Sequence, residues 1–135
     1  MSATIAPMSV EGLVASFGYL LMGGLFAFAG VDHAFRFRRV RSMLTQRGWP
    51  TPGALLAAAS ILEFVAGLGL ALGFARAWSA LVLAALTVVA SVLLLDFWRF
   101  TGPERDGMRS GFTVNVGLVG GLLLAFAINL QGEMR

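Results

Sequence analysis

Four long apolar segments constrain this chain more than any other feature of its sequence. They run from about Gly12 to Gly30, Gly53 to Gly73, Trp78 to Phe97 and Phe112 to Leu130. Each is close to the roughly 20 residues that an α-helix needs to cross the hydrocarbon of a bilayer. The segments predict an all-α fold, an integral membrane four-helix bundle that forms one domain over residues 1–135.

Composition agrees with a membrane location and excludes several kinds of chemistry. Apolar residues make up 58% of the chain, against roughly 45–50% in a soluble domain. The chain has no Cys, which removes disulfide, thiol and iron–sulfur chemistry, and its single His33 disfavours haem held by two histidines. We therefore expect no covalently bound cofactor, and chemistry only in or beside the bilayer or on a partner.

The arginines predict how the bundle is oriented. All ten basic residues are Arg, and eight of them lie in the connecting segments 31–52 and 99–110. The positive-inside rule places both segments on the cytoplasmic side of the membrane and both termini on the opposite side. The abundance of Arg, Ala, Gly and Leu is typical of a GC-rich bacterial genome, so we expect a bacterial inner membrane with the termini in the periplasm. Arginines beside a span set topology or contact anionic membrane lipid, so the basic character does not indicate nucleic acid.

Segment 31–52 also carries an amphipathic pattern. Its apolar residues recur between arginines at near-helical spacing: Phe35, Phe37, Val40, Met43 and Leu44. We expect a short interfacial helix between the first and second spans. Trp78 and Trp98 bracket the third span in the manner of interface anchors.

Glu63 is a carboxylate inside the second apolar segment. Such a group costs roughly 2.5–3.5 kcal/mol on insertion scales when it lies at the centre of a spanning helix. On a helical wheel Glu63 shares a face with Ser60 and Gly67, whereas Ile61 and Val65 point to the opposite side. The pattern predicts that Glu63 faces the interior of the bundle.

Counting residues predicts the neighbours of Glu63. It lies roughly 15 Å from the cytoplasmic boundary, at a similar level to Tyr19 in the first span and Thr87 in the third. We expect their hydroxyl groups to bond the Glu63 carboxyl group. Burial of this kind makes Glu63 a candidate for proton handling.

A second polar layer is predicted near the cytoplasmic boundary. It consists of residues at the ends of three spans: Asp32, His33, Asp96, Trp98 and Asn115. Together with Glu63, Tyr19 and Thr87, these residues have two interpretations. In the first they form a proton route or a headgroup pocket, and Asp96 is a second proton-handling candidate. In the second they make ordinary hydrogen bonds to loops and helix ends. Asp32, His33 and Asp96 lack the spacing of a metal site on one helix, so no metal is expected.

Pairs of glycines four residues apart predict close helix contacts. The pairs are Gly69 with Gly73 and Gly117 with Gly121. This spacing is typical of membrane helices that approach closely, and we expect the two pairs to pack against partner helices.

Five stretches in order are similar to one known family. They are AGVDHAF, GWPTPG, LEFVAGLGLALGFARAWSALVLA, LLLDFWRF and FTVNVGLVGGLLLAFA. Together they resemble the DoxX family of small four-helix bacterial membrane proteins, from about Phe26 to Ala127.

The resemblance implies a role as a component of a membrane redox complex. Members of the family resemble subunits of a thiosulfate:quinone oxidoreductase or quinol oxidase assembly. The family pattern singles out one set of positions: His33, Glu63, Arg76, Asp96, Phe97, Trp98 and Asn115. Many relatives have His where Leu95 stands and Lys where Val114 stands, so these departures shift the expectation toward an accessory role.

Three classes of function follow from the residues and the resemblance together. The first is an accessory integral membrane subunit of a respiratory or redox complex, which packs against other membrane subunits and shapes a quinone or lipid site. The second is a quinone-linked oxidoreductase subunit that handles protons or quinone directly, with the cofactor supplying the electron chemistry. The third is a small transporter or a pure scaffold.

Overall fold

The computed structural model describes residues 7–135, and all regular structure in this range is helical. The elements are α1 (Val10–Phe35), α2 (Phe37–Gln46), α3 (Pro52–Leu72), α4 (Arg76–Leu94), a 3-10 turn (Phe97–Arg99) and α5 (Gly102–Glu133). Helices α1, α3, α4 and α5 are long and apolar enough to cross a membrane. The predicted all-α four-helix membrane bundle is confirmed.

Two spanning helices are longer than predicted. Helix α1 continues past Gly30 to Phe35, because the polar residues in its last turns have side-chain partners; Asp32, for example, lies 3.0 Å from the Nε of Arg36. Helix α5 begins at Gly102 and not at Phe112. Pro103 suits a first helical turn, where no N–H partner is needed. Most of segment 99–110, predicted as a connection, is therefore the start of α5.

The spanning helices pack in the order α1, α3, α4, α5. Close contacts join α1 to α3, α3 to α4 and α4 to α5, whereas α1 and α5 have no comparable contact. The core lies where α3, α4 and α5 meet, around the fully buried side chains of Leu70, Leu83 and Leu122. The bundle is consequently open along the seam between α1 and α5.

Glycines bring α1 and α3 into backbone contact. A Cβ atom added to Gly23 would lie 2.4 Å from the carbonyl oxygen of Gly67, and one added to Gly67 would lie 2.5 Å from the Ala27 nitrogen. About two turns nearer the arginines, a Cβ on Gly30 would lie 2.7 Å from the Ser60 oxygen. Small residues at such crossings allow dispersion contacts between backbones that larger side chains prevent.

Gly69 and Gly73 close the turn between α3 and α4. Gly73 has a φ of +88°, and its N–H donates to the Gly69 carbonyl at 3.0 Å. Gly69 itself is buried, and a Cβ there would lie 2.5 Å from the Ser79 hydroxyl oxygen. Gly73 is required by the left-handed helix cap, and Gly69 by the close approach of Ser79 at the start of α4. The spacing of the two glycines therefore has a cause inside the chain, and packing of this pair against a partner helix remains a prediction.

Helix α2 is the short helix predicted between the first two spans. Its apolar side packs against α3, and Leu44 is only 5% exposed. The side chain of Arg41 covers the start of α3, with its Nε 3.4 Å from the position of a Cβ on Gly53. The apolar face of α2 is thus covered by the protein, while Arg38 and Arg39 remain exposed.

A substitution at Gly67 tests the α1–α3 contact. We expect Gly67→Ala to lower the free energy of unfolding by about 1–3 kcal/mol, because the new methyl group meets the backbone of α1, which cannot move aside. Thermal unfolding in a mild detergent measures the change.

The matched control is Gly24→Ala, since Gly24 is exposed on α1 and a Cβ there has no neighbour within 4 Å. Alanine is the better helix former, so this control should be neutral or slightly stabilising. Equal destabilisation by the two substitutions would contradict the assigned contact.

Candidate functional site

The carboxylate of Glu63 pairs with the imidazole of His33. Glu63 lies on α3 and faces α1, and its Oε2 is 2.9 Å from the Nδ1 of His33 in the last turns of α1. The two side chains differ in exposure, 15% for Glu63 and 37% for His33. The inward orientation predicted for Glu63 is confirmed, because Ser60, Ala66 and Gly67 on its side of α3 are buried.

The glycine crossing places these two groups side by side. Helices α1 and α3 are antiparallel, and their backbones touch where Gly30 meets Ser60. Gly30 packs against the backbone of both Ser60 and Phe64, so it lies level with the turn of α3 that contains Glu63. His33 is one turn further along α1, and its side chain reaches the Glu63 carboxylate from there. The contact offsets part of the cost of placing a carboxyl group in an apolar segment.

The predicted partners of Glu63, Tyr19 and Thr87, do not bond it. The Thr87 hydroxyl donates to the Leu83 carbonyl of its own helix at 2.7 Å. Tyr19 lies 14 residues from His33 on α1, which corresponds to about 21 Å along the helix. The prediction was wrong for Tyr19 because the α1–α3 contact sets Gly23 beside Gly67 and Gly30 beside Ser60, which places Tyr19 near the far end of α3.

Asp96 is held in a buried ion pair. Its Oδ1 lies 2.9 Å from the Nη2 of Arg47, and its Oδ2 lies 3.6 Å from the Nε of Arg99. Arg47 follows α2 directly, and its Nη1 also donates to the Leu93 carbonyl near the end of α4. The pair fastens α2 to the end of α4 and places an arginine beside each carboxylate oxygen. A ligand or proton-handling role for Asp96 remains a prediction.

The remaining residues of the predicted boundary layer join α4 to α5. The Asn115 side-chain amide donates to the Ser91 hydroxyl at 2.9 Å. Trp98 is 54% exposed and packs edge-to-face on Phe97 and Phe112, with centroid distances of 5.3 and 6.3 Å. These contacts stabilise the helix ends, and of the predicted layer only His33 joins Glu63.

Comparison with known proteins identifies the family of this chain. The DoxX family model matches residues 16–96, which is more than half of the sequence. The chain belongs to the DoxX family. No match to a curated protein or to a solved structure is significant.

The DoxX match contains both polar pairs of this site. His33, Glu63, Arg47 and Asp96 all fall within residues 16–96. Asn115 and Trp98 lie beyond the matched range, on the segment that continues into α5. The paired groups therefore belong to the part of the chain for which membership in the DoxX family is shown.

Arg47 is the buried partner of Asp96 that the sequence did not reveal in this DoxX protein. Its side chain is only 16% exposed, yet in the sequence it is one of five arginines in a basic segment. Position relative to α2 is the only available signal: Arg47 lies on the same side of the helix as Val40, Met43 and Leu44. An arginine on the apolar side of an amphipathic helix needs a buried acidic partner.

A polar cluster at the opposite end of the bundle was also not predicted. The Asn129 side-chain amide donates to the Tyr19 hydroxyl at 2.8 Å and so joins α5 to α1. The Arg76 guanidinium lies 4.3 Å from the centre of the Tyr19 ring. Glu133 accepts a hydrogen bond from the Ala77 N–H at 2.9 Å, at the start of α4. Sequence spacing does not predict these hydrogen bonds, because Ala77 and Glu133 are 56 positions apart and Tyr19 and Asn129 are 110 positions apart.

The second predicted glycine pair has one open member. A Cβ on Gly117 has no neighbour within 4 Å, whereas one on Gly121 would lie 3.1 Å from the Met22 methyl group. Gly121 therefore faces α1 of the same chain. Packing of Gly117 against a partner helix remains a prediction.

Substitutions in the Arg47–Asp96 pair test its role in the fold. We expect Arg47→Ala and Asp96→Ala each to lower the free energy of unfolding by about 3–5 kcal/mol, because each leaves a buried charge without its partner. The double variant should lose less than the sum of the two. Thermal or denaturant unfolding in detergent measures all three.

Arg38→Ala is the control for this pair, because Arg38 is exposed on the same short helix. Its substitution should change the stability by no more than about 0.5 kcal/mol. An Arg47→Ala variant as stable as Arg38→Ala would show that the ion pair does not hold α2.

Proposed function

We propose that this DoxX protein is an accessory integral membrane subunit of a bacterial redox complex in the cytoplasmic membrane, and that it helps to form a site for a quinone headgroup. The single observation that carries the proposal is the His33–Glu63 pair. It is the one place among the described residues where an imidazole and a carboxylate meet on neighbouring spanning helices.

The geometry of the pair suits a hydrogen-bonding role toward a headgroup. Nδ1 of His33 is engaged by Glu63 at 2.9 Å, which orients the ring. Nε2 is then the ring nitrogen available to an outside carbonyl oxygen, and 37% of the His33 side chain is exposed. A quinone supplies its own electron chemistry, so the protein contributes only placed donors and acceptors.

An accessory role fits the distribution of the other polar groups. Asp96 is engaged by two arginines, and Asn115 and Thr87 bond within the bundle. Leu95 and Val114 stand where many DoxX relatives carry His and Lys, so a complete headgroup site requires groups from another subunit. The exposed apolar surface of α5, where Gly117 is open, offers a place for such a subunit.

Direct proton handling is the second candidate function, and the same pair favours it. A carboxyl group in hydrogen-bonding distance of an imidazole is an arrangement that transfers protons in many enzymes. In that case Glu63 and His33 pass a proton to or from the quinone, and Asp96 takes no part.

Quinone content of the purified protein tests the proposal. We expect the protein, isolated in mild detergent, to come with membrane partners and bound quinone. His33→Phe should reduce the bound quinone about tenfold, which corresponds to the loss of one hydrogen bond worth about 1.4 kcal/mol. Extraction and chromatographic quantification of quinone per chain measures this.

Asp32→Asn is the matched control, because Asp32 adjoins His33 but pairs with Arg36. It should leave the quinone content unchanged. Glu63→Gln separates the two candidates: unchanged quinone content with reduced quinone-linked turnover indicates proton handling, and unchanged turnover indicates an accessory role. A protein that purifies alone, without quinone, and whose Glu63→Ala variant loses only thermal stability would be a scaffold.

A further inference from the structure

The seam between α1 and α5 contains a cleft that the proposed function does not use. Its volume is about 240 Å³. Six of the residues that line it are Ala15, Gly18, Tyr19 and Met22 of α1 and Leu124 and Ile128 of α5. These side chains are small or apolar apart from Tyr19. The cleft opens sideways, where α1 and α5 do not pack closely, and is therefore accessible from the bilayer.

A cation lies beside this cleft. Arg76, the first residue of α4, stacks on the Tyr19 ring at 4.3 Å. Its Nε donates to the Leu70 carbonyl at 3.3 Å, and no carboxylate of the described residues forms an ion pair with it. The Glu133 carboxylate accepts from the N–H of the adjacent Ala77 and forms no ion pair with Arg76. Arg76 therefore offers a positive charge that has no ion-pair partner among the described residues.

We propose that the seam binds one anionic phospholipid, with an acyl chain in the cleft and the phosphate on Arg76. The cleft is smaller than the roughly 300–1,000 Å³ of pockets that enclose drug-sized ligands, and its mostly apolar walls suit part of one acyl chain. Arg76 lies at the end of a spanning helix, near the membrane surface. The phosphate of a lipid lies at the same depth and can reach Arg76 without entering the hydrocarbon.

The site is separate from the His33–Glu63 pair. Tyr19 and His33 are about 21 Å apart along α1. Loss of lipid binding at the seam and loss of quinone at His33 are therefore distinguishable by which variant causes each.

Lipid titration of the full chain tests the proposal. Native mass spectrometry in detergent would compare phosphatidylglycerol with phosphatidylcholine of the same acyl chains. We expect one phosphatidylglycerol per chain, bound about fivefold more tightly than phosphatidylcholine. Arg76→Gln should remove this preference and Arg76→Lys should keep it, because lysine keeps the charge.

A glycine pair on α1 tests the cleft separately from the charge. A Cβ on Gly18 or on Gly24 has no neighbour within 4 Å, but only Gly18 lines the cleft. Gly18→Leu should fill the cleft and weaken binding of both lipids about tenfold, since several methylenes lose their contacts. Gly24→Leu should bind lipid as the unchanged chain does.

Three results would overturn the proposal. The first is equal binding of the two lipids by the unchanged chain. The second is equal binding by the Gly18→Leu and Gly24→Leu variants. The third is a dimer, or a complex with a partner helix, that is lost only in Gly18→Leu, because a protein would then occupy the seam.

Discussion

Polar groups inside a bilayer must find partners within the protein, and this constraint determines which helices of the bundle are neighbours. Glu63 on α3 meets His33 on α1, Arg47 after α2 meets Asp96 after α4, and Asn115 on α5 meets Ser91 on α4. Each contact joins two different elements, and each uses a group that is costly to expose to hydrocarbon. The polar pairs thus specify the arrangement, while the apolar side chains, which lipid solvates equally well, favour no particular neighbour.

Glycine contacts determine how closely the polar pair of α1 and α3 can approach. Because Gly23, Gly30 and Gly67 lack side chains, the two backbones touch, and His33 comes within 2.9 Å of Glu63. The seam between α1 and α5 shows the opposite case, since a cleft remains there and the Tyr19–Asn129 bond is the main polar link across it. The bundle thus has a tightly packed side that holds the His33–Glu63 pair and an open side that faces the membrane.

Helical periodicity was sufficient to predict the four spans and the inward face of Glu63, because both depend on local spacing in the sequence. It was not sufficient for the partner of Glu63. Residue counts from the ends of the apolar segments predict Tyr19 level with Glu63, whereas the glycine contacts set Gly23 beside Gly67 and Gly30 beside Ser60 and leave Tyr19 near the far end of α3. Arg47 was missed for a different reason: its charge resembles that of its exposed neighbours, and only the tertiary structure shows that it is buried beside Asp96.

The direct test of the account is a double-mutant cycle on Glu63 and His33. The free energies of unfolding in detergent would be measured for the unchanged chain, Glu63→Ala, His33→Ala and the double variant. A buried hydrogen-bonded pair of this kind predicts a coupling energy of about 1–3 kcal/mol. Effects that add within about 0.3 kcal/mol would contradict the account, because the two side chains would then not depend on each other.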